Sequence, residues 1–205
     1  MIGDPVWSHL PALDRRLPLN GVQRRRIRQT TRRALGWHGW FVIAHVGAMG
    51  VRQSLEDLAP ALRHLAGVQP DVLISFLGEG GRRPALVQAT SGLGNVEIRD
   101  PVPEQHRLAV LLAADLLLLS ERGEGGGPTL GDYLPSGRPI LAVADPGGAA
   151  AREIEYSGAG VIVPPGDPFA FTARVSGLRS DPDSRTRFGD AGMRYAERRP
   201  APQGA

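Results

Sequence analysis

The chain has 205 residues and a net charge of +3 from 24 basic and 21 acidic groups, a length that suits one large domain or a domain and a half. It contains no cysteine, which excludes disulfides and thiolate metal sites, and its five histidines show no metal-ligand spacing. With 41% hydrophobic but only 5% aromatic residues the core must be aliphatic, which favours layered α/β packing over an aromatic-rich sandwich. No apolar run reaches 18 residues and no secretion signal is present, so a cytoplasmic location is expected. Every basic residue is arginine, so any contact that lysine usually makes with phosphate must fall to arginine.

In chain order, residues 14–33 (DRRLPLNGVQRRRIRQTTRR) hold eight arginines and one acid. They read as a solvated linker or helix, or as a sticky surface for anionic lipid or acidic substrates. No aromatic residue interleaves the arginines, so a nucleic-acid platform is not expected. From Trp40 the pattern is regular. A buried strand is expected over 40–47, a helix over 53–67, a strand over 71–78, a helix over 80–92 and a short strand over 95–98. A helix follows over 104–114, a strand over 115–120, a helix over 129–135, a strand over 138–144, a helix over 147–158 and a last strand over 160–164. Two helical stretches, 167–179 and 183–198, end the pattern, and 199–205 read as a disordered tail. Short crossovers between such strands require a parallel sheet, so the expected fold is a three-layer, doubly wound, Rossmann-like α/β domain. The division expected is an arginine-rich linker region over 1–35, the α/β domain over 36–180 and a C-terminal helix over 181–198.

In an open parallel sheet, ligands bind beyond the carboxyl ends of the strands. Three glycine-bearing turns fall at that edge: 46–54 (VGAMGVRQS), 77–83 (LGEGGRR) and 120–132 (SERGEGGGPTLGD). Glycine admits a ligand close to backbone N–H groups, and a helix N-terminus adds partial positive charge, so such turns suit phosphate. Tight packing is the alternative for any one of them. In the third turn, Gly125 to Pro128 would aim amides at a diphosphate. Glu124 before it and Asp132 within the following helix would accept hydrogen bonds from sugar hydroxyls. His45 lies near the same edge but reads as a core or edge histidine. His38, His64 and His106 are placed in a loop and on helix surfaces, without a role. Trp37 and Trp40 are expected to pack between the arginine-rich arm and the domain.

The segments LNGV (19–22), AHVGAMGVRQSLEDL (44–58), LGEGGRR (77–83), LLAADLLLL (111–119), YLPSGRPILAVADPGG (133–148) and GAGVIVPPGDP (158–168), in this order, resemble the C-terminal half of a GT-B glycosyltransferase. The resemblance is to the large retaining family with a Glu–seven residues–Glu motif, in particular to bacterial enzymes of exopolysaccharide, colanic-acid and O-antigen assembly. It implies a domain that binds the nucleotide-sugar donor, with no metal and no further cofactor. By this resemblance Glu124 takes the catalytic acid's place at the donor sugar. Gly126, Gly127, Thr129 and Leu130 line the diphosphate, and Asp132 holds the ribose. Gly47 and Gly50 form the first loop, and Arg52 stands in for its phosphate-binding basic residue.

The sequence departs from the pattern in places. Asp132 is one methylene shorter than the usual glutamate, Ala48 and Gln53 stand where relatives carry basic or amide side chains, and Gly148 and Ala149 replace a common Ser-Glu pair. LNGV, normally at the junction of two domains, begins at residue 19, so the acceptor-binding N-terminal domain is expected to be missing. The partners implied are a UDP- or GDP-sugar, a separate N-terminal domain or subunit, and peripheral contact with the inner face of the membrane, with no nucleic acid. Two readings follow: the donor half of a glycosyltransferase that needs its other domain for turnover, or a non-catalytic module that docks on a partner subunit. An epimerase-like domain is set aside, because its Tyr-x-x-x-Lys pair needs a lysine.

Overall fold

The computed structural model describes residues 5–14, 18–123 and 128–198. Six parallel strands form one sheet: β1 (Phe41–Val46), β2 (Val72–Leu77), β3 (Val96–Arg99), β4 (Leu116–Glu121), β5 (Ile140–Ala144) and β6 (Gly160–Val163). Their order is β3-β2-β1-β4-β5-β6, so the winding reverses between β1 and β4. The fold is therefore the doubly wound α/β sheet expected. Both faces are covered, which explains why strands such as VLISFL are apolar throughout rather than alternating. Side chains still alternate between two cores. Val42, Ala44 and Leu117 join Trp37 and Tyr133 on one face, while Ile43, Ile74 and Leu118 join Leu62 and Phe171 on the other.

Eight helices fill the two outer layers: α1 (Gly21–Ala34), α2 (Ala59–Val68), α3 (Arg83–Ala89), α4 (Glu104–Ala113), α5 (Pro128–Ser136), α6 (Ala149–Ser157), α7 (Pro168–Ser180) and α8 (Pro182–Arg198). Local chemistry sets several starts. Asn20 caps α1 through Oδ1, which accepts from Val22 and Gln23 N–H at 3.0 Å, and Gln23 returns the bond to the Asn20 N–H at 2.9 Å. Proline decides two others. The expected helix over 53–67 opens instead as a 3-10 turn, Leu55–Leu58, with Pro60 in the first turn of α2. The one expected over 80–92 shrinks to α3, with Pro84 in its first turn, because proline tolerates only the positions where no N–H is needed. α8 lies against the α5–β5 turn so closely that a side chain at Gly189 would meet the Gly137 carbonyl at 2.2 Å. The tail over 199–205 lies outside the described residues.

Two expectations about surface residues are corrected. His106 is buried, with Nδ1 3.2 Å from the Pro11 carbonyl, because residues 5–14 fold over α4 and insert Trp7 and Leu10 into the core. The arginines of α1 are not simply solvated. Arg24, Arg28 and Arg32 recur every four residues and form one inward stripe, while Arg25, Arg26 and Arg33 stay exposed. The stripe faces the carboxyl ends of other helices. Arg24 Nη1 donates to Ser136 O at 2.8 Å, and Arg28 Nη1 donates to Leu112 and Ala113 O at 3.1 and 3.0 Å. Arg32 Nη1 donates to Ala113 O at 2.8 Å and to Asp115 at 3.0 Å, and Arg28 also pairs with Asp115. Trp37 is fully buried, and its indole N–H donates to Glu97 at 2.7 Å.

Candidate functional site

The winding reverses between β1 and β4, and at such a switch point sheets of this kind bind ligands in the crevice outside the carboxyl ends of their strands. Two glycine loops meet on one side of it. The Gly47 N–H donates to Leu77 O at 3.0 Å, the Met49 N–H to Glu79 O at 2.8 Å, and the Arg82 N–H to Met49 O at 2.9 Å. A side chain at Gly78 would lie 1.8 Å from the Gly47 carbonyl. Gly78 and Gly80 thus serve close packing of one loop on the other, whereas Gly81 faces open space. Ser54, at the end of the first loop, has φ +41°, the one non-glycine residue at positive φ among the described residues. Its Oγ donates to Val51 O at 2.7 Å, holding a turn that costs backbone strain.

Arg52 leaves this loop and pairs with Glu121 at 3.1 Å, its side chain half exposed while the Glu121 carboxylate is buried at the last position of β4. The Arg122 N–H donates to Arg52 O at 2.9 Å, and the Ser120 hydroxyl donates to Gln53 O. The first loop is therefore stitched to the end of β4 across the switch point.

Asp132, in α5, pairs with Arg107 of α4, Nε to Oδ2 at 2.6 Å, and the Arg107 Nη2 donates to Val46 O at 3.1 Å. The neighbouring Tyr133 points the other way into the core. Its hydroxyl accepts from the Val46 N–H at 2.8 Å and lies 3.3 Å from Leu118 O. Burial pushes this phenol well above the usual tyrosine range, so it stays a neutral donor and acceptor. Beside it, His45 sets Nδ1 3.2 Å from Leu118 O and Nε2 3.1 Å from Ala48 O. Burial lowers the His45 pKa and outweighs the two carbonyls, which act in the opposite direction. His45 is thus the core histidine expected, although it holds the carbonyl of the first loop.

Of the residues singled out from the sequence, Gly47, Gly50 and Arg52 share the loop that is tied to the end of β4, and Asp132 is linked through Arg107 to the end of β1. The Leu130 side chain is buried, so only its backbone can face a ligand. Glu124, Gly126 and Gly127 lie outside the described residues, as does the Thr129 side chain. Four side chains at the crevice were not foreseen: Arg107, Glu121 and Tyr133, which hold its parts in place, and Asp145, which accepts from the Gly123 N–H at 3.2 Å. Arg107 sits one turn into an apolar-looking helix, and only its partner, 25 positions away, reveals it. Among the described residues no helix is long and apolar enough to cross a membrane.

The fold recurs in solved glycosyltransferases. WaaG, a glycosyltransferase involved in lipopolysaccharide biosynthesis, superposes with a TM-score of 0.72 at 19% identity over 93% of this chain and 51% of its own. Alr3699/HepE from Anabaena, solved in complex with UDP and glucose, gives 0.72 at 20% identity, over 85% of this chain and 48% of its own. The C-terminal domain of LpcC, a group 1 family glycosyl transferase from Francisella tularensis, gives 0.63 at 17% identity, over 95% and 97%. The chain thus spans about half the length of the first two and nearly all of the third. No curated protein sequence matches it. The profile of the family "Glycosyl transferases group 1" matches residues 41–181, well over half the chain and all six strands. The chain belongs to the group 1 glycosyltransferases.

Proposed function

We propose that this chain is the donor-binding part of a glycosyltransferase that moves a sugar from a UDP- or GDP-sugar to a polysaccharide or lipid-linked acceptor, with retention at the anomeric carbon. The observation that carries this reading is the Arg107–Asp132 pair, which ties the carboxylate of α5 to the Val46 carbonyl at the β1/β4 switch point. A helix N-terminus stabilises a diphosphate leaving group through its amides and dipole, where negative charge grows as the glycosidic bond breaks. Arg107 orients Asp132, which is assigned to the ribose hydroxyls. Glu124 is assigned to the donor sugar. Complexes of Alr3699/HepE with UDP and with UDP-glucose support a nucleotide sugar as the ligand class.

The acceptor is assigned to a separate N-terminal domain or subunit, consistent with structural neighbours twice as long. The isolated chain is accordingly expected to bind donor without transferring sugar, and measurable transfer would remove that assignment. Calorimetric titration with UDP and GDP tests the site itself. Glu124→Ala and Asp132→Ala should each weaken binding roughly ten- to hundredfold, the worth of one charge-assisted hydrogen bond. Binding that neither substitution changes would remove the site. The Arg107–Asp132 ion pair also favours a second reading, a donor domain that no longer binds and serves as a partner subunit. Failure of the wild-type chain to bind either nucleotide would select it.

A further inference from the structure

We propose that Arg138, with Arg24, Arg28 and Arg32, forms a binding site for a phosphate-type oxyanion at the N-terminal edge of the sheet, opposite the candidate donor site. Arg138 lies in the turn between α5 and β5, two residues before Ile140. Its Nε is closed off from solvent and has no hydrogen-bond partner among the described residues. The residue as a whole is half-buried, so an ion can approach it from outside. The groups within electrostatic reach are Arg28, Asp115, Arg24 and Arg32, in that order of influence. Four cations therefore converge on one carboxylate, and that carboxylate is already engaged by Arg28, Arg32 and the Val42 N–H. Arg24 adds only Asp190 as a further acid.

Unpaired charge of this kind is costly to hold out of water. Burial, reinforced by Arg28, has pulled the Arg138 pKa down to about 9. The helix carbonyls that occupy Arg24, Arg28 and Arg32 leave the Arg138 Nε unpartnered, and a guanidinium presents its N–H donors as a planar fork. A phosphate dianion matches it. Two of its oxygens accept the fork side by side, and its double charge meets the local excess that a single carboxylate would leave. The ligand is thus inorganic phosphate or a phosphomonoester.

Thermal unfolding at low ionic strength tests the site, comparing phosphate with chloride at matched ionic strength. Phosphate should raise the wild-type Tm by about 3 °C. Arg138→Gln should abolish that rise while leaving Tm in chloride unchanged or higher, since an unpaired buried cation is gone. Arg52→Gln, at the other edge, should keep the rise. No rise in the wild type, or a rise that survives Arg138→Gln, would overturn the site. Should Arg138→Gln fail to fold, Arg138→Lys keeps the charge and loses the fork, and its calorimetric affinity for inorganic phosphate should fall about tenfold. An unchanged affinity would count against the proposal. Sedimentation with phosphatidylcholine vesicles containing phosphatidic acid separates two sources of the phosphate group. Arg138-dependent pelleting identifies a lipid headgroup, and phosphate binding without it a free ion.

Discussion

The two edges of the sheet use arginine in opposite ways. At the carboxyl edge five arginines pair with acids: Arg52 with Glu121, Arg107 with Asp132, Arg122 with Asp57, Arg82 with Glu56 and Arg83 with Asp100. At the amino edge Arg24, Arg28 and Arg32 meet mostly main-chain carbonyls at the ends of α4 and α5. Helix direction explains the difference. In a parallel α/β sheet every crossover helix begins at the carboxyl edge and ends at the amino edge, so partial positive charge collects at one and partial negative charge at the other. At the first edge the dipoles already favour an anion, and arginines serve to hold acids and loops in place. At the second, the arginines of α1 neutralise helix ends and Arg179 pairs with Asp71, with Arg138 left over.

The comparison breaks most visibly at Asp115, which accepts from Arg28, Arg32 and the Val42 N–H at the amino edge. Asp115→Ala leaves two partly buried guanidiniums without their carboxylate and should cost roughly 3 kcal/mol in urea unfolding. A loss below about 1 kcal/mol would mean that the carbonyls alone hold α1. At the carboxyl edge, Tyr133→Phe deprives the buried Val46 N–H of its acceptor and should cost about 1–3 kcal/mol, while weakening nucleotide binding through the displaced 47–50 loop. An unchanged urea midpoint would show that the loop does not depend on this bond.

A third measurement uses pH. Because burial lowers the His45 pKa, below about pH 6.5 the unfolded chain binds a proton that the folded chain refuses. Stability from this residue is thus full above that pH and falls as the solution is acidified towards the folded pKa, by at most about 1.4 kcal/mol per pH unit. His45→Gln should flatten the difference in Tm between pH 7 and pH 5 relative to the wild type. An identical slope would show that His45 titrates normally. The smallest effect belongs to the exposed side of α1. Arg25→Ala and Arg26→Ala should each change stability by less than about 0.5 kcal/mol, against the far larger cost of losing Arg28 on the same helix.

The sequence by itself determined the alternation of strands and helices and the parallel sheet. Apolar runs such as VLISFL and DLLLLS, punctuated by glycine, are local signals that a short window can carry. It also named Asp132 and the 47–50 loop, because acids and glycines at strand ends are informative wherever the chain goes next. Only the tertiary structure decided which arginines face inward, that Gly78 exists to admit the Gly47 carbonyl, and that Arg107 and Glu121 belong to the crevice. These facts depend on pairs separated by 25 to 112 positions, and partners at that range leave no periodicity to read. For the same reason Arg138 looked like one arginine among 24 until the turn before β5 placed it beside three others with a single acid between them.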